Sequence, residues 1–220
     1  MIDTPPVELA PESGLPGTSC SVSFLEFPKM ARLSRECIVS EKIDGTNAQL
    51  LITEAGQMLC GSRTRWITPE QDNGGFARWA MEHREELLQL GPGRHFGEWW
   101  GQGIQRKYGM PEKRWSLFNV ARWCMHDAEP QQIATADPRI IKWQDRLPAC
   151  CHLVPQMYRG VFTTEAVETC LTYLRENGSI ASPGFMRPEG VVVFHVAGNV
   201  GFKKTLEKDE VPKCFSSQKS

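Results

Sequence analysis

Short segments of strand character recur along this chain, punctuated by turns that carry Gly, Pro, Asn and Asp. Ile38 to Lys42 reads as a strand that ends on a lysine. Ala48 to Thr53 alternates apolar and polar, Glu54-Ala55-Gly56-Gln57 turns the chain, and Met58 to Ser62 returns as the second half of a hairpin. His95 to Trp100 and Trp115 to Val120 read as further strands, with Trp99 and Trp100 on opposite faces, so that one of them belongs to the core. Gly190 to His195 and Val200 to Lys204 form a last hairpin-like pair. Helical spacing is confined to a few stretches. Phe76 to Leu90 follows the turn Asp72-Asn73-Gly74-Gly75, brings Phe76, Trp79, Ala80, Leu87 and Leu90 near one face, and stops at Gly91-Pro92-Gly93. Thr164 to Asn177 has threonine caps, Glu165 in its first turn and Gly178 just past its end. Ile133 to Arg146 is partly helical and poorly patterned. The pattern predicts an α+β fold of antiparallel sheets flanked by helices. It occupies residues 23–220 as one domain, after a flexible Pro- and Gly-rich arm at 1–22.

Composition narrows the function without choosing it. The 220 residues are 40% hydrophobic and 23% charged, ordinary values for a globular protein. The net charge of −1 excludes a whole-molecule basic field, so any nucleic-acid contact comes from a local patch. No apolar run approaches the roughly 20 residues that span a bilayer, and the N-terminus lacks the features of a signal peptide. These features predict a cytoplasmic protein with no membrane partner. The eight cysteines contain no Cys-x-x-Cys pair, and Cys150-Cys151 are adjacent, so core thiols are expected rather than a metal site. The five histidines have no metal spacing and read as structural.

The chemistry concentrates around Glu41-Lys42-Ile43-Asp44-Gly45-Thr46-Asn47. A lysine amine, with a free pKa of roughly 10.4, is a poor nucleophile until its surroundings or a metal activate it. Here the lysine closes a strand and is followed by a tight Asp-Gly turn. Nucleotidyl transfer from such a lysine needs a divalent metal with hard oxygen ligands and cations that neutralise developing charge. Two carboxylates lie in strand contexts beside glycines: Glu98 in Phe96-Gly97-Glu98-Trp99-Trp100, and Glu189 in Pro188-Glu189-Gly190-Val191. Cations follow in Ser62-Arg63-Thr64-Arg65 and Phe202-Lys203-Lys204. Arg106-Lys107 and Lys113-Arg114 are exposed charges suited to phosphate contacts. An alternative reading pairs Glu98 and Glu189 as the acid and base of a sugar site with Trp as platform, but it leaves Lys42, Arg63 and Lys203 unexplained.

In this order, Lys-x-Asp-Gly, Ser-Arg-Thr, Phe-Gly-Glu, a hydrophobic residue before Phe118, Glu-Gly-Val-Val-Val and Phe-Lys, the motifs resemble the covalent nucleotidyltransferase superfamily of DNA ligases, RNA ligases and capping enzymes. Finer strings resemble the phage RNA ligase 2 family: Glu41 to Asn47, Gly103-Ile104-Gln105 with Tyr108-Gly109, and Ile67-x-Pro69-Glu70 with Gly75-Phe76. The resemblance covers about residues 36–210. It implies a nucleotidyltransferase (ATP-grasp-like ligase) domain that uses ATP and Mg²⁺ or Mn²⁺ and carries AMP covalently on Lys42. Glu41 and Phe118 would meet the adenine, and Ile43 and Gly45 would line the nucleotide as part of the lysine string. Asp44 and Asn47 would hold the ribose or the incoming end, and Arg63 phosphate or ribose. Glu98 would bind ribose or orient the metal shell, Glu189 would bind the metal through water, and Lys203 would contact the α-phosphate. The implied partner is nucleic acid, RNA preferred, as nicked duplex or strand ends. The family ends its last motif with Lys-x-Lys. Lys203-Lys204-Thr205 puts the second lysine one residue early and on the other face of the strand, so Lys204 counts as a nucleotide contact on motif grounds alone. Relatives carry a C-terminal nucleic-acid-docking domain, and this chain reads as the catalytic domain without one. A DNA ligase, a GTP-loading capping-type enzyme, and an end-binding module without joining activity stay open as alternatives.

Overall fold

The computed structural model describes residues 25–27, 29–118 and 147–207. The expected arm at 1–22 and the expected helix at Ile133 to Arg146 lie outside them, as do the last two residues of the strand expected at Trp115 to Val120. The chain divides into Met1–Ala31 and Arg32–Ser220, and the architecture below is that of the second unit.

Among the described residues ten strands make two sheets. β1 (Glu36–Lys42), β8 (Gln156–Val161), β9 (Gly190–His195) and β10 (Val200–Thr205) form a small sheet in the order β10-β9-β1-β8. β2 (Thr46–Ile52), β3 (Met58–Gly61), β4 (Trp66–Ile67), β5 (Gly93–Gly101), β6 (Lys113–Leu117) and β7 (Cys151–Leu153) form a larger one in the order β4-β3-β2-β5-β6-β7. Among the described residues only the β6–β7 pair is parallel, and every other pairing is antiparallel. The chain crosses from the small sheet to the large one between Lys42 and Thr46, so the lysine string is itself the junction of the two sheets.

Each sheet buries one face under helices. α1 (Phe76–Glu82) and α2 (Arg84–Leu88) cover the large sheet, where Phe76, Ala80 and Leu87 meet Leu50, Trp99 and Trp115. α3 (Thr164–Asn177) covers the small sheet, packing Val167, Cys170, Leu171 and Leu174 on Cys37, Val39, Val191 and Val193. α3 has the predicted bounds because its ends are written locally. The Thr163 hydroxyl accepts from Ala166 N at 3.1 Å, and Gly178 ends the helix at φ 78°.

The helix predicted from Phe76 to Leu90 is instead two short ones that break at His83, whose φ is −103° and whose ring nitrogen lies 2.9 Å from the Trp79 carbonyl. Asp72 supplies the cap that Gly75 lacks: its carboxylate accepts from Ala77 N at 2.8 Å and Arg78 N at 3.0 Å. Both tryptophans of β5 are buried, against the expectation that one would be. Trp99 enters the large core, while Trp100 joins Ile43, Tyr108 and Val154 in a third cluster at the sheet junction. β7 and β8 carry no strong sequence pattern. Their place comes from pairing with β6 and β1.

Candidate functional site

Strand register decides which side chains share the cleft side of the junction. In antiparallel ladders directly paired residues point to the same face. On the small sheet Lys42 pairs with Gly190, and Ser40 pairs with Val192, which pairs with Lys203. Lys42 and Lys203 therefore share the face opposite α3. Lys204 pairs with Val191 on the helix face, where its ammonium forms an ion pair with Glu168 of α3. That geometry removes Lys204 from the candidate site. On the large sheet Asn47 pairs with Glu98 and Glu98 with Ser116, all on the face away from α1. Phe118 donates its N–H to the Phe96 carbonyl at 2.9 Å, continuing that register, and packs beside Ile43 and Trp100.

The side chains around the junction are tightly bonded. Lys42 Nζ donates to Glu189 Oε2 at 2.5 Å across a sequence separation of 147 residues. Glu98 accepts from Gly45 N at 3.1 Å and from Asn47 Nδ2 at 2.9 Å. Burial pushes the Glu98 carboxyl up to about 7, with the Glu189 charge adding to the rise and Lys42, Gly45 N and Asn47 opposing it. Gly45 admits no side chain: a Cβ there would lie 2.5 Å from the Trp99 carbonyl oxygen and 2.9 Å from Glu98 Cγ. Gly190, paired with Lys42, has φ 152°, which side chains disfavour.

Two loops brace the lysine string. The β5–β6 loop places Arg106 Nε 3.0 Å from Asp44 Oδ2, and Arg106 Nη1 donates to the Arg187 carbonyl at 3.0 Å, just ahead of Glu189. In the same loop the buried Tyr108 accepts from Asp44 N through its hydroxyl at 2.9 Å. The loop before β9 holds Glu41, whose carboxylate accepts from Ser179 Oγ at 2.5 Å and from Ile180 N and Ala181 N, both at 2.9 Å. Burial raises the Glu41 carboxyl, and those three donors oppose the rise. Arg106, expected as an exposed charge for phosphate, is instead turned inward onto Asp44 and the Arg187 carbonyl. Tyr108 and Ser179 are site-building residues whose only sequence signal was the Gly103-to-Gly109 loop string, which covers Tyr108 alone.

The structure thus brings together Lys42, Glu189, Glu98, Asn47, Asp44 and Phe118, with Lys203 on the same face. Ile43 is buried in the junction cluster, so only its main chain can face a ligand. The Glu41 side chain lies on the helix face and is fully engaged, which corrects a side-chain contact to adenine; a base could meet only its backbone. Arg63 is exposed in the β3–β4 turn. A cavity of about 330 Å³ opens at the β10 edge of the small sheet, lined by Leu33, Val167, Glu168, Phe202, Lys203 and Lys204 and not by Lys42.

Among the described residues no three His, Cys, Asp or Glu side chains form a ready-made metal cage. Glu98 and Glu189 nonetheless supply two mutually repelling carboxylates beside the Lys42 ammonium. That donor set fits a Mg²⁺-type ion, which takes one or two carboxylates and completes its shell with phosphates and water.

The RNA ligase family model matches residues 35–206, from β1 to just past β10. The chain belongs to the RNA ligase family. The family match spans both sheets and every motif around Lys42. Solved structures of a Naegleria gruberi RNA ligase share the fold of this RNA ligase family member. A lysine-to-methionine variant with AMP and Mn is 16% identical, with a TM-score of 0.50, covering 79% of this chain and 50% of that one. An arginine-to-alanine variant with ATP and Mn is also 16% identical with a TM-score of 0.50, covering 80% and 51%. The chain spans about half the length of the solved relatives it matches. No curated protein sequence matches it. Among the described residues no helix is long and apolar enough to cross a membrane.

Proposed function

We propose that this chain is an ATP-dependent RNA ligase that joins a 3′-hydroxyl to a 5′-phosphate through AMP carried on Lys42. The observation that supports this most is the pairing of Lys42 with Glu189 at 2.5 Å on a face shared with Lys203, inside a family match covering residues 35–206. The Lys42 amine, once it has lost a proton, attacks the α-phosphorus of ATP. A P–N bond forms, the α–β P–O bond breaks, and pyrophosphate leaves. A 5′-phosphate oxygen then displaces Lys42 to give an adenylylated end, and the 3′-hydroxyl attacks that phosphate and expels AMP.

Lys203 contributes positive charge where the α-phosphate gains negative charge. Glu98, fixed by Gly45 N and Asn47, orients the ribose end of the nucleotide. Phe118 offers a stacking face to the adenine. Asp44, held by Arg106 and Tyr108, fixes the turn that aims Lys42. Glu98 and Glu189 would hold a divalent ion, Mg²⁺ or Mn²⁺, which when bound supplies charge neutralisation for the departing pyrophosphate. The cytoplasm, where ATP and Mg²⁺ are plentiful, is the compartment this reading places it in.

The test is a sealing assay with a 5′-phosphorylated RNA acceptor, a 3′-hydroxyl RNA, ATP and Mg²⁺, run beside DNA strands of the same sequence. RNA product that disappears in Lys42→Ala is the expected result. Sealing of DNA alone would reassign the chain to DNA joining. Tight binding of 5′-phosphate ends with no AMP transfer would leave an end-binding module.

A further inference from the structure

The face of the large sheet that carries Glu98 and Asn47 does not stop at the nucleotide site. The next cross-strand row runs Phe118, Phe96, Gln49, Gly61, Trp66: Phe118 N bonds Phe96 O, Phe96 pairs with Gln49, Gln49 with Gly61, and Gly61 with Trp66. These five positions sit on five neighbouring strand tracks, about 19 Å from end to end at the usual strand spacing. The row is partly open, with Phe96 38% and Trp66 48% exposed. Among the described residues no helix covers it, because α1 and α2 pack on the opposite face. Gly61 has no side chain to raise the surface, and the Gln49 amide lies across it to donate to the Ser62 carbonyl at 3.0 Å.

Charge follows the same row. The Arg94 guanidinium, one row further from the nucleotide site, sits 5.4 Å from the centroid of the Trp66 ring and donates to Gln49 Oε1 at 3.1 Å. Arg63 and Arg65 are exposed in the turn that leads into Trp66. Neither the Phe96 row nor the Arg94–Leu51–Leu59 row contributes a carboxylate among these described positions. In a chain whose net charge is −1, this is a local cationic and aromatic surface continuous with the site.

We propose that this row is a stacking platform for the unpaired nucleotides of RNA next to the end being joined, with Phe96 and Trp66 as base-stacking faces and Arg94, Arg63 and Arg65 as phosphate contacts. The proposal rests on the ligase reading above and adds to it the form of the RNA that is held. Open sheet faces with spaced aromatics take splayed single-stranded bases, and stacking of this kind tolerates any sequence. Arg94 sits over one face of the Trp66 indole, so a base would stack on the other.

The experiment measures the affinity of the full-length chain for a short 5′-phosphorylated, fluorescein-labelled single-stranded RNA by anisotropy over a salt series. Thermal melts confirm that each variant is folded. Trp66→Ala and Phe96→Ala should each weaken binding about tenfold, while Trp66→Tyr keeps most of it. Arg94→Ala should reduce the salt slope by about one, as loss of a phosphate contact does. The same RNA carrying abasic sites should bind the wild-type chain as weakly as normal RNA binds Trp66→Ala. Unchanged affinity in Trp66→Ala, or equal binding of abasic and normal RNA, overturns the platform. Transfer of AMP to the wild-type chain without RNA is read separately. If it fails, the ligase reading falls; if it succeeds while the variants bind RNA normally, only the platform does.

Discussion

Lys203 and Lys204 are neighbours in sequence with opposite surroundings, and the difference between them is the sharpest residue-scale consequence of the register. Lys203→Ala should slow AMP loading by about 100-fold or more, the usual cost of removing a charge-stabilising group. Lys204→Ala loses an exposed ion pair to Glu168 worth about 0.2–1 kcal/mol and should load AMP normally. Rates of AMP incorporation for the two variants check this, and the reverse order would mean that β10 is read in the wrong register. Gly45 is the other residue whose identity is forced. Gly45→Ala drives a Cβ against the Trp99 carbonyl and should cost about 1–3 kcal/mol, read as a lowered melting temperature. The sequence made both legible, since a strand's two-residue period separates adjacent lysines and a lysine string with glycine invites a tight turn. It could not show that Glu41 is spent on Ser179, Ile180 and Ala181, because those donors lie about 140 residues away and only the folded loop brings them in.

At the scale of elements, the two loops that brace the lysine string are what hold the site together. Glu41→Ala would leave the Ser179 hydroxyl and two backbone N–H groups without their acceptor, at about 1–3 kcal/mol for each buried group left unsatisfied. A melt should register this as a large loss, and a shift no bigger than that of Thr163→Ala, a helix cap worth about 1 kcal/mol, would contradict the bracing role. α3 was readable to the residue because both caps are local in sequence. The Phe76 to Leu90 stretch was readable as helix but not as two, because the break comes from the His83 ring meeting a carbonyl one turn back. β7 and β8 were unreadable for a different reason: the partners that stabilise them, β6 and β1, are set by topology, and Arg159 and Gly160 blur the alternation of β8. The burial of Trp100 likewise depends on Tyr108 and Val154, which arrive from a loop and from the end of β7.

At the scale of the whole molecule, the junction of two sheets collects Lys42 from β1, Glu98 from β5 and Glu189 from just before β9. Glu98 is shifted from 4.5 to about 7 by burial, so its neutral form is favoured in the folded chain. A raised carboxyl contributes stability that is complete below the unfolded value and is lost as pH climbs through the folded one. The stability advantage of the wild-type chain over Glu98→Gln should therefore shrink between about pH 4.5 and 7, by at most about 1.4 kcal/mol per unit, and level off above that. Melting temperatures of both proteins across that range test it, and a difference independent of pH would contradict the burial of an ionisable Glu98. The central claim is that this junction makes Lys42 a carrier of AMP. Intact-mass measurement of the purified chain after incubation with ATP and Mg²⁺, without nucleic acid, tests it directly. Wild-type protein should gain the mass of one AMP, and the gain should be absent in Lys42→Ala and absent with GTP. An unmodified mass in folded wild-type protein, or an AMP adduct that persists in Lys42→Ala, would contradict it.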